Sequence, residues 1–324
     1  MKIVVTGGAG FIGANFIRLL LTCYPEHEVI NFDKLTYAGN IDNLADFATH
    51  PRYRFVQGDI CAPIEVMETL TGVDAIVNFA AESHVDRSIV AAAPFVTTNV
   101  LGVQVLLDCA RAAGVARFLQ ISTDEVGGSL PTGVYLHEDS PLAPASPYAA
   151  SKAAAEHLVY AAHHTHGLDV VITRTSNNYG PYQFPEKLLP LMIANAIEFK
   201  PLPIYGDGLN VRDWIYVEDN CRAVYQVLIH GRAGEIYNIG ARCERTNLAL
   251  VKEVLDIIGR PHSLITYVAD RPGHDRRYGI DPSKIEQELS WQPQVDLSEG
   301  LRRTVQWYTS NQEWIVCSRN RVSS

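Results

Sequence analysis

The sequence predicts an α/β fold: a doubly wound parallel sheet followed by a smaller, looser C-terminal α/β region. Three observations carry this. Short apolar runs alternate with helical patterns through the first half of the chain. The runs lack the in–out alternation of a half-exposed strand, as strands covered on both faces do. A glycine-rich turn joins the first run to the first helical pattern.

The elements follow in order. Strands are expected at "KIVVT", "EVINFD", "YRFVQGD", "AIVNFAA", "RFLQIS" and "VVITRTS". Helices are expected between them, at "FIGANFIRLLLTC", "PIEVMETLTG", "FVTTNVLGVQVLLDCARAAG" and "YAASKAAAEHLVYAAHHTHG". From about residue 177 Pro, Tyr, Asn and Gly become frequent, and helical patterns recur at 218–230, 247–258 and 298–309. The predicted division is a dinucleotide-binding domain over 1–176 and a second region over 177–324, with residues 211–240 returning to the first. Ligands bind at the carboxyl edge of such a sheet, where the second region would rest. The final "CSRNRVSS" reads as a frayed tail.

Composition excludes several classes. The 324 residues are 47% hydrophobic and 19% charged, as in an ordinary globular chain, and the net charge is −9. That acidity argues against general affinity for nucleic acid or an anionic membrane, but not against an anionic small ligand met by a few converging cations. The six cysteines form no C-x-x-C pair, so neither a zinc framework nor a disulfide scaffold is expected. No signal-peptide pattern and no membrane-length apolar run is expected, which together point to reduced thiols in the cytoplasm.

"VVTGGAGFIGANF" places Gly8-x-Gly10-x-x-Gly13, also readable as Gly7-x-x-Gly10-x-x-Gly13, between a strand and a helix. Glycines there let the backbone approach a pyrophosphate seated on the helix N-terminus. Asp33 ends the second strand twenty residues after Gly13. A carboxylate at that point binds ribose hydroxyls and repels a 2′-phosphate, which favours NAD over NADP. Asp59 follows the third strand, where it can cap the adenine end or be a plain loop acid.

"SPYAASK" gives Tyr148-x-x-x-Lys152, one face of a helix. An ammonium near a phenol favours the phenolate, and so a proton acceptor for a hydroxyl. "RFLQISTDEVGGSL" raises a sharper question, because an apolar strand ends in Ser122 and Thr123 and then in two adjacent acids, Asp124 and Glu125. A solvated turn is the plain reading of such a pair taken alone.

These blocks, with "LTYAGN", "FAAESHVDRS", "NNYGPYQFPEKLLP", "LPIYGDG", "VRDWIYVEDN", "YNIGA" and "YVADRPGHDRRYGID", run in order from residue 1 to about 309. Together they resemble the extended short-chain dehydrogenase/reductases, and within them the nucleotide-sugar 4,6-dehydratases. The resemblance implies a Rossmann-type doubly wound sheet with a smaller C-terminal α/β substrate-binding region. It implies NAD as cofactor, a nucleotide-diphosphate glucose (dTDP-glucose foremost) as substrate, and a homodimer through a four-helix contact built from the third and fourth helical patterns.

In that family the sugar is oxidised at carbon 4, loses water across carbons 5 and 6, and regains the hydride at carbon 6. The implied catalytic roles are Tyr148 as base at the 4-hydroxyl, assisted by Lys152 and Thr123, Asp124 as acid at the 6-hydroxyl, and Glu125 as base at carbon 5. Both acids reach one sugar only if the strand ends in a turn. Close carboxylates also push their pKa values apart. The implied cofactor set is Gly7, Gly10, Phe11, Ile12, Gly13, Asp33, Lys34, Leu35, Thr36, Asp59, Ile60, Ala80, Ala81, Ser83, Thr98, Tyr148, Lys152 and Asn178. For Thr98 and Asn99 a plain helical surface remains the alternative.

The implied substrate set is Ser83, His84, Thr123, Asn178, Glu186, Lys187, Pro203, Ile204, Tyr205, Arg212, Asn247, Arg271 and His274. Arg212 is the foremost diphosphate contact, since its fork matches phosphate oxygens. No metal cluster is expected. One residue departs from the family pattern: Gly127 stands where a tyrosine is usual. The rivals are a 4-epimerase or decarboxylase of the same superfamily, typically with small residues in place of Asp124 and Glu125, and a non-catalytic dinucleotide-binding regulator.

Overall fold

The computed structural model describes residues 1–321. Five parallel strands, β1 (Lys2–Thr6), β2 (Glu28–Asp33), β3 (Tyr53–Gln57), β4 (Ala75–Asn78) and β5 (Arg117–Thr123), are joined by helices. The helices are α1 (Phe11–Cys23), α2 (Pro63–Thr69), α3 (Val85–Val90), α4 (Ala93–Val96) and α5 (Gly102–Ala113). Then come α6 (Pro147–His166) and β6 (Val170–Thr175), and after them β7 (Asn177–Tyr179), α7 (Leu188–Ile197), β8 (Leu202–Tyr205), β9 (Val211–Tyr216), α8 (Val217–His230) and β10 (Ile236–Ile239). The remainder comprises β11 (Glu244–Thr246), α9 (Asn247–Ile258), β12 (Ile265–Val268), α10 (Ser283–Leu289), α11 (Leu297–Ser310) and α12 (Gln312–Asn320).

The main sheet has the order β10-β6-β5-β4-β1-β2-β3, all parallel. The order of successive strands reverses between β1 and β4, and a crevice opens at such a switch point. One face is covered by α1 and α8, with Phe16, Leu20, Val224 and Leu228 in a single apolar cluster with Ile3 and Val5. The other is covered by α2, α5 and α6 through Val66, Leu106, Leu107 and Val159. Residues 217–239 thus return to the sheet, whereas β9 joins β7 and β11 in a separate three-stranded sheet. A parallel pair, β8 and β12, completes the C-terminal region with α7, α9 and α11.

Three expectations need correcting. The third helical pattern is interrupted: Thr97–Leu101 is a π-turn between α4 and α5. The whole helix Ala93–Ala113 also has the length and hydropathy of a membrane span, with a window mean of 1.3, although no run of that kind was expected. Its inner face, through Val103, Leu106, Leu107 and Ala110, is instead packed on the sheet. The supposed tail is helical through Asn320, with Ile315 buried among the aromatic residues of α11. Residues 322–324 of that expectation lie outside the described residues. The helix α12 also reaches the cofactor side of the molecule. Trp314 Nε1 donates to Asn43 Oδ1 at 2.8 Å, and Arg321 Nη1 donates to the Gly39 carbonyl at 3.1 Å.

Candidate active site

At the carboxyl edge of β1, β4, β5 and β6 lies a cleft of about 330 Å³. Its floor is polar. Thr6 Oγ1 donates to Asn78 Oδ1 at 2.5 Å, and Asn78 Nδ2 donates to Gln120 Oε1 at 2.8 Å.

The glycine turn fits a dinucleotide on steric grounds. Gly7 has φ +67°, and a β-carbon there would lie 2.6 Å from the Ala80 nitrogen. A β-carbon on Gly13 would collide with the Gly7 carbonyl. The first turn of α1 holds no acid, so its free amides face an anion without competition. Asp33 is fixed by the Ala9 amide at 2.9 Å and the Leu35 amide at 2.7 Å. Burial raises its pKa against both bonds. Lys34 pairs with Asp59 at 2.6 Å across the mouth.

Gly7, Gly10, Phe11, Ile12, Gly13, Asp33, Lys34, Thr36, Asp59, Ile60, Ala80, Ala81, Ser83 and Thr98 all line the cleft. Leu35 lies behind, contributing its amide to Asp33. Asn99 is buried and clamps the Glu82 backbone, its Oδ1 accepting from Glu82 N at 2.8 Å and its Nδ2 donating to Glu82 O at 3.0 Å.

The chemistry-bearing end is set by helix α6 and the end of β5. Ser146 caps α6 by accepting from the Ala149 amide at 3.1 Å, and Pro147 starts the helix. Tyr148 therefore falls in the first turn and Lys152 one turn on, both facing the cleft. Lys152 Nζ donates to the Ile121 carbonyl at 2.5 Å, and burial lowers its pKa to about 8. The expected lowering of the tyrosine by the lysine does not occur here. Burial, then the charges of Glu125 and Asp124, raise the Tyr148 pKa, and only the Thr123 hydroxyl opposes them.

β5 ends at Thr123, and Asp124–Gly127 form a 3₁₀ turn capped by Thr123, whose hydroxyl accepts from the Glu125 amide at 3.3 Å. The turn brings Asp124 and Glu125 to the same cleft. Asp124 is raised well above the usual carboxylate range by burial and by the charge of Glu125. Glu125 is also raised by burial, but Arg212, Arg271 and Lys187 pull it back. The two acids are thereby unlike: one holds its proton, while the other faces three cations.

Asn178 Nδ2 donates to Thr175 Oγ1 and to the Ser176 carbonyl, both at 3.0 Å. Its Oδ1 is buried without a partner, as are Ser122 Oγ, Asp124 Oδ2, Glu125 Oε2, Asn177 Oδ1 and Gln183 Oε1 among the described residues. A row of unmet polar atoms along one cleft is what a ligand site looks like before the ligand binds.

Glu186 and Lys187 line the far wall; Glu186 meets Arg87 at 3.1 Å and His84 at 3.9 Å, and Lys187 Nζ donates to the Ser83 carbonyl at 2.7 Å. Beyond them lies a cationic annex. Arg271 Nη1 pairs with Asp86 at 2.9 Å, and Tyr205 OH donates to the same carboxylate at 3.1 Å. His274 meets Asp270 at 2.6 Å. Arg212 is buried over the Tyr278 ring at 4.1 Å. Asn247 opens α9 with its Oδ1 buried and unmatched. Pro203 is half-buried, and Ile204 is 1% exposed, its side chain packed with Val251 and Leu255, which leaves its backbone for the nucleobase contact expected of it.

Sequence reasoning missed Gly39, Gly58, Glu82 and Phe184 in the lining, and Asp86, Asp275 and Tyr278 around the arginines. Several stand inside the recognised blocks, "LTYAGN" and "DRPGHDRRYGID", but no chemistry marked them out individually.

Fold and site together define a dinucleotide-binding enzyme of the short-chain dehydrogenase/reductase type. The comparisons narrow the class. The chain belongs to the family whose model is described as GDP-mannose 4,6 dehydratase, which matches residues 4–304. A dTDP-glucose 4,6-dehydratase from Actinoplanes sp. is 51% identical over 319 residues, covering 97% of this chain and 99% of that one. A crystal structure of a dTDP-glucose 4,6-dehydratase from Streptomyces venezuelae, with NAD and dTDP bound, is 54% identical with a TM-score of 0.96 over 98% of this chain and all of that one. Another, from Bacillus anthracis in complex with NAD, is 46% identical with a TM-score of 0.93 over 98% of this chain and 99% of that one.

Proposed function

We infer that the protein is an NAD-dependent dTDP-glucose 4,6-dehydratase, a lyase that converts dTDP-glucose to its 4-keto-6-deoxy sugar. The observation that carries the reading is the pair of unlike acids at the end of β5, beside Tyr148 and Lys152. Bound NAD would supply a positively charged ring that accepts and returns a hydride, a charge that also favours the phenolate of Tyr148.

Tyr148 takes the proton of the 4-hydroxyl, with Thr123 placed to share it. Lys152, anchored on the Ile121 carbonyl, adds a cation beneath the sugar. Once carbon 4 is a ketone, the hydrogen on carbon 5 is acidic. Glu125, whose upward shift on burial is partly offset by Arg212, Arg271 and Lys187, is the base that removes it. Asp124, which keeps its proton, delivers it to the departing 6-hydroxyl. The annex of Arg212, Arg271, His274, Asn247 and Tyr205 takes the diphosphate and nucleoside. An epimerase needs no acid and base at carbons 5 and 6, so their presence disfavours that rival.

The protein acts as a homodimer on this reading. The exposed faces of α5 and α6 carry Tyr160, Asp108, Arg111 and a groove of about 90 Å³ that includes Leu158 and Ala161. A second copy of the same helix pair fits such a face. Six free thiols, none in a disulfide among the described residues, support a reducing compartment, the cytoplasm.

The test is direct. Purified protein is given dTDP-glucose and, separately, UDP-glucose, and the sugar product is followed by mass and NMR. Loss of one water with a new methyl signal is expected, faster for dTDP-glucose. An isomer of unchanged mass would sink the dehydratase reading.

A further inference from the structure

Lys152 is 5% exposed, and its one hydrogen bond in the described structure is to a neutral carbonyl, Ile121 at 2.5 Å. An ammonium so placed has lost its water and gained no charged partner at contact. One turn further along the same face of α6 stands Glu156, 3% exposed. Its carboxylate is gripped by Arg174 from β6, with Nε 3.1 Å from both oxygens and Nη2 2.8 Å from one. Arg174 is itself 2% exposed and is tied through Nη1 to the Glu138 carbonyl at 3.1 Å. A buried ion pair contributes little net stability over an apolar pair of the same shape. Its place, one helical turn behind the lysine of the site, gives it another use.

We propose that Glu156, held by Arg174, is a positioning residue that keeps Lys152 in its ammonium form. Tyr148 and Glu156 share its helix, Asp124 and Glu125 face it from the turn after β5, Glu82 from the loop after β4, and Arg174 from β6. Of these, Glu156 is the buried carboxylate one helical turn behind the lysine, and its charge opposes the loss of charge that burial favours. Arg174 supplies the counter-charge that lets a carboxylate persist there without solvent. The Tyr148–Lys152 pair is thus the outer part of a longer column, 148–152–156, with its inner end pinned to the sheet.

The inference rests on Lys152 acting as a cation in the proposed reaction, but its test needs no turnover, so either can fail alone. Lysine labelled with ¹³C at Cε is titrated by NMR, with the Lys152 signal assigned by its loss in Lys152→Met. The wild type is expected to titrate near pH 8, from the lowered value of about 8. Glu156→Gln is expected to lower that midpoint by about 1 unit or more, the size of effect a nearby charge exerts in a buried site. An unmoved midpoint overturns the proposal. Should Glu156→Gln fail to fold, Glu156→Gln with Arg174→Gln removes both charges at once. A smaller downward shift is then expected, and no shift overturns the proposal equally.

Discussion

The surroundings of Asp124 favour its protonated form, and that has a consequence for stability that can be measured. Its folded-state pKa lies well above the usual value, through burial first and the charge of Glu125 second. A carboxyl of this kind binds its proton more tightly folded than unfolded. Its stabilising contribution is complete below the unfolded pKa and is lost as pH rises through the folded one. Asp124→Asn has no such term. In NAD-free protein the variant is therefore expected to gain on the wild type as pH rises from 5 to 8, with Tm ahead by a few degrees at pH 8, roughly 2–4 °C per kcal/mol for a large domain. A Tm offset equal at both pH values would refute the assignment. Activity should move the opposite way: Asp124→Asn with Glu125→Gln is expected to lower turnover by about 10²–10⁴-fold while NAD binding persists. Wild-type turnover in the double variant would remove this pair from the chemistry. Gly13→Ala tests the other end. The added methyl has no room against the Gly7 carbonyl. NAD binding by calorimetry should fall below detection while the far-ultraviolet spectrum is kept; retained binding would mean the turn is not the phosphate cradle.

At the scale of elements, Gly127 shows how a departure from a family pattern is absorbed. Its φ is unremarkable for any residue, so glycine is not required by the backbone. What occupies the space is Leu136, whose Cδ1 would lie 2.6 Å from an added β-carbon. Leu136 is buried with Val126, Ala153 and Ile280, and its backbone is sewn to the 279–281 segment at 2.8 and 3.0 Å. Gly127→Tyr is expected to destabilise by about 1–3 kcal/mol through overpacking. Leu136→Ala should relieve part of that loss, with a coupling of about 0.5–3 kcal/mol in denaturant midpoints. Strictly additive effects would show that the two positions do not compete for one space. The same scale separates what the chain reveals from what it hides. β1, β2 and α1 were legible to the residue, because two short β-branched apolar runs flank a glycine turn and a longer helical pattern, so length and the glycines separate strand from helix. The short strands β7, β8, β11 and β12 were not, since three or four residues are too few to show a period. The turn after β5 was inferred from two acids needing one target, whereas the clamp of Asn99 on Glu82 had no signal in the chain.

For the whole molecule, the proposed dimer would be built on the outer faces of α5 and α6. Tyr160 is 49% exposed and its ring lies 4.2 Å from that of His164. Tyr160→Glu places like charges opposite one another across a two-fold contact. Sedimentation is expected to show a dimer for the wild type and a monomer for the variant. A monomeric wild type would end the dimer reading. The residues that make the site come from far apart: the cradle from the first strands, the acids from the middle, the arginines from beyond residue 211. This is why motif blocks along the full length, rather than any one of them, made the site legible in outline, while the annex geometry was not.

The contact between α12 and the first loops also sets an order of events on the ribosome. The glycine turn and the loop bearing Gly39 are translated within the first 40 residues. Their braces, Trp314 on Asn43 and Arg321 on Gly39, emerge only some 270 residues later. Asn43 in turn holds the Ala9 carbonyl at 3.0 Å, inside the turn itself. A nascent chain can therefore lay down its sheet early and still lack a firm grip on the cofactor. Firm capture of NAD is then expected only in the last moments of synthesis, when the C-terminal helix folds back over residues made long before it.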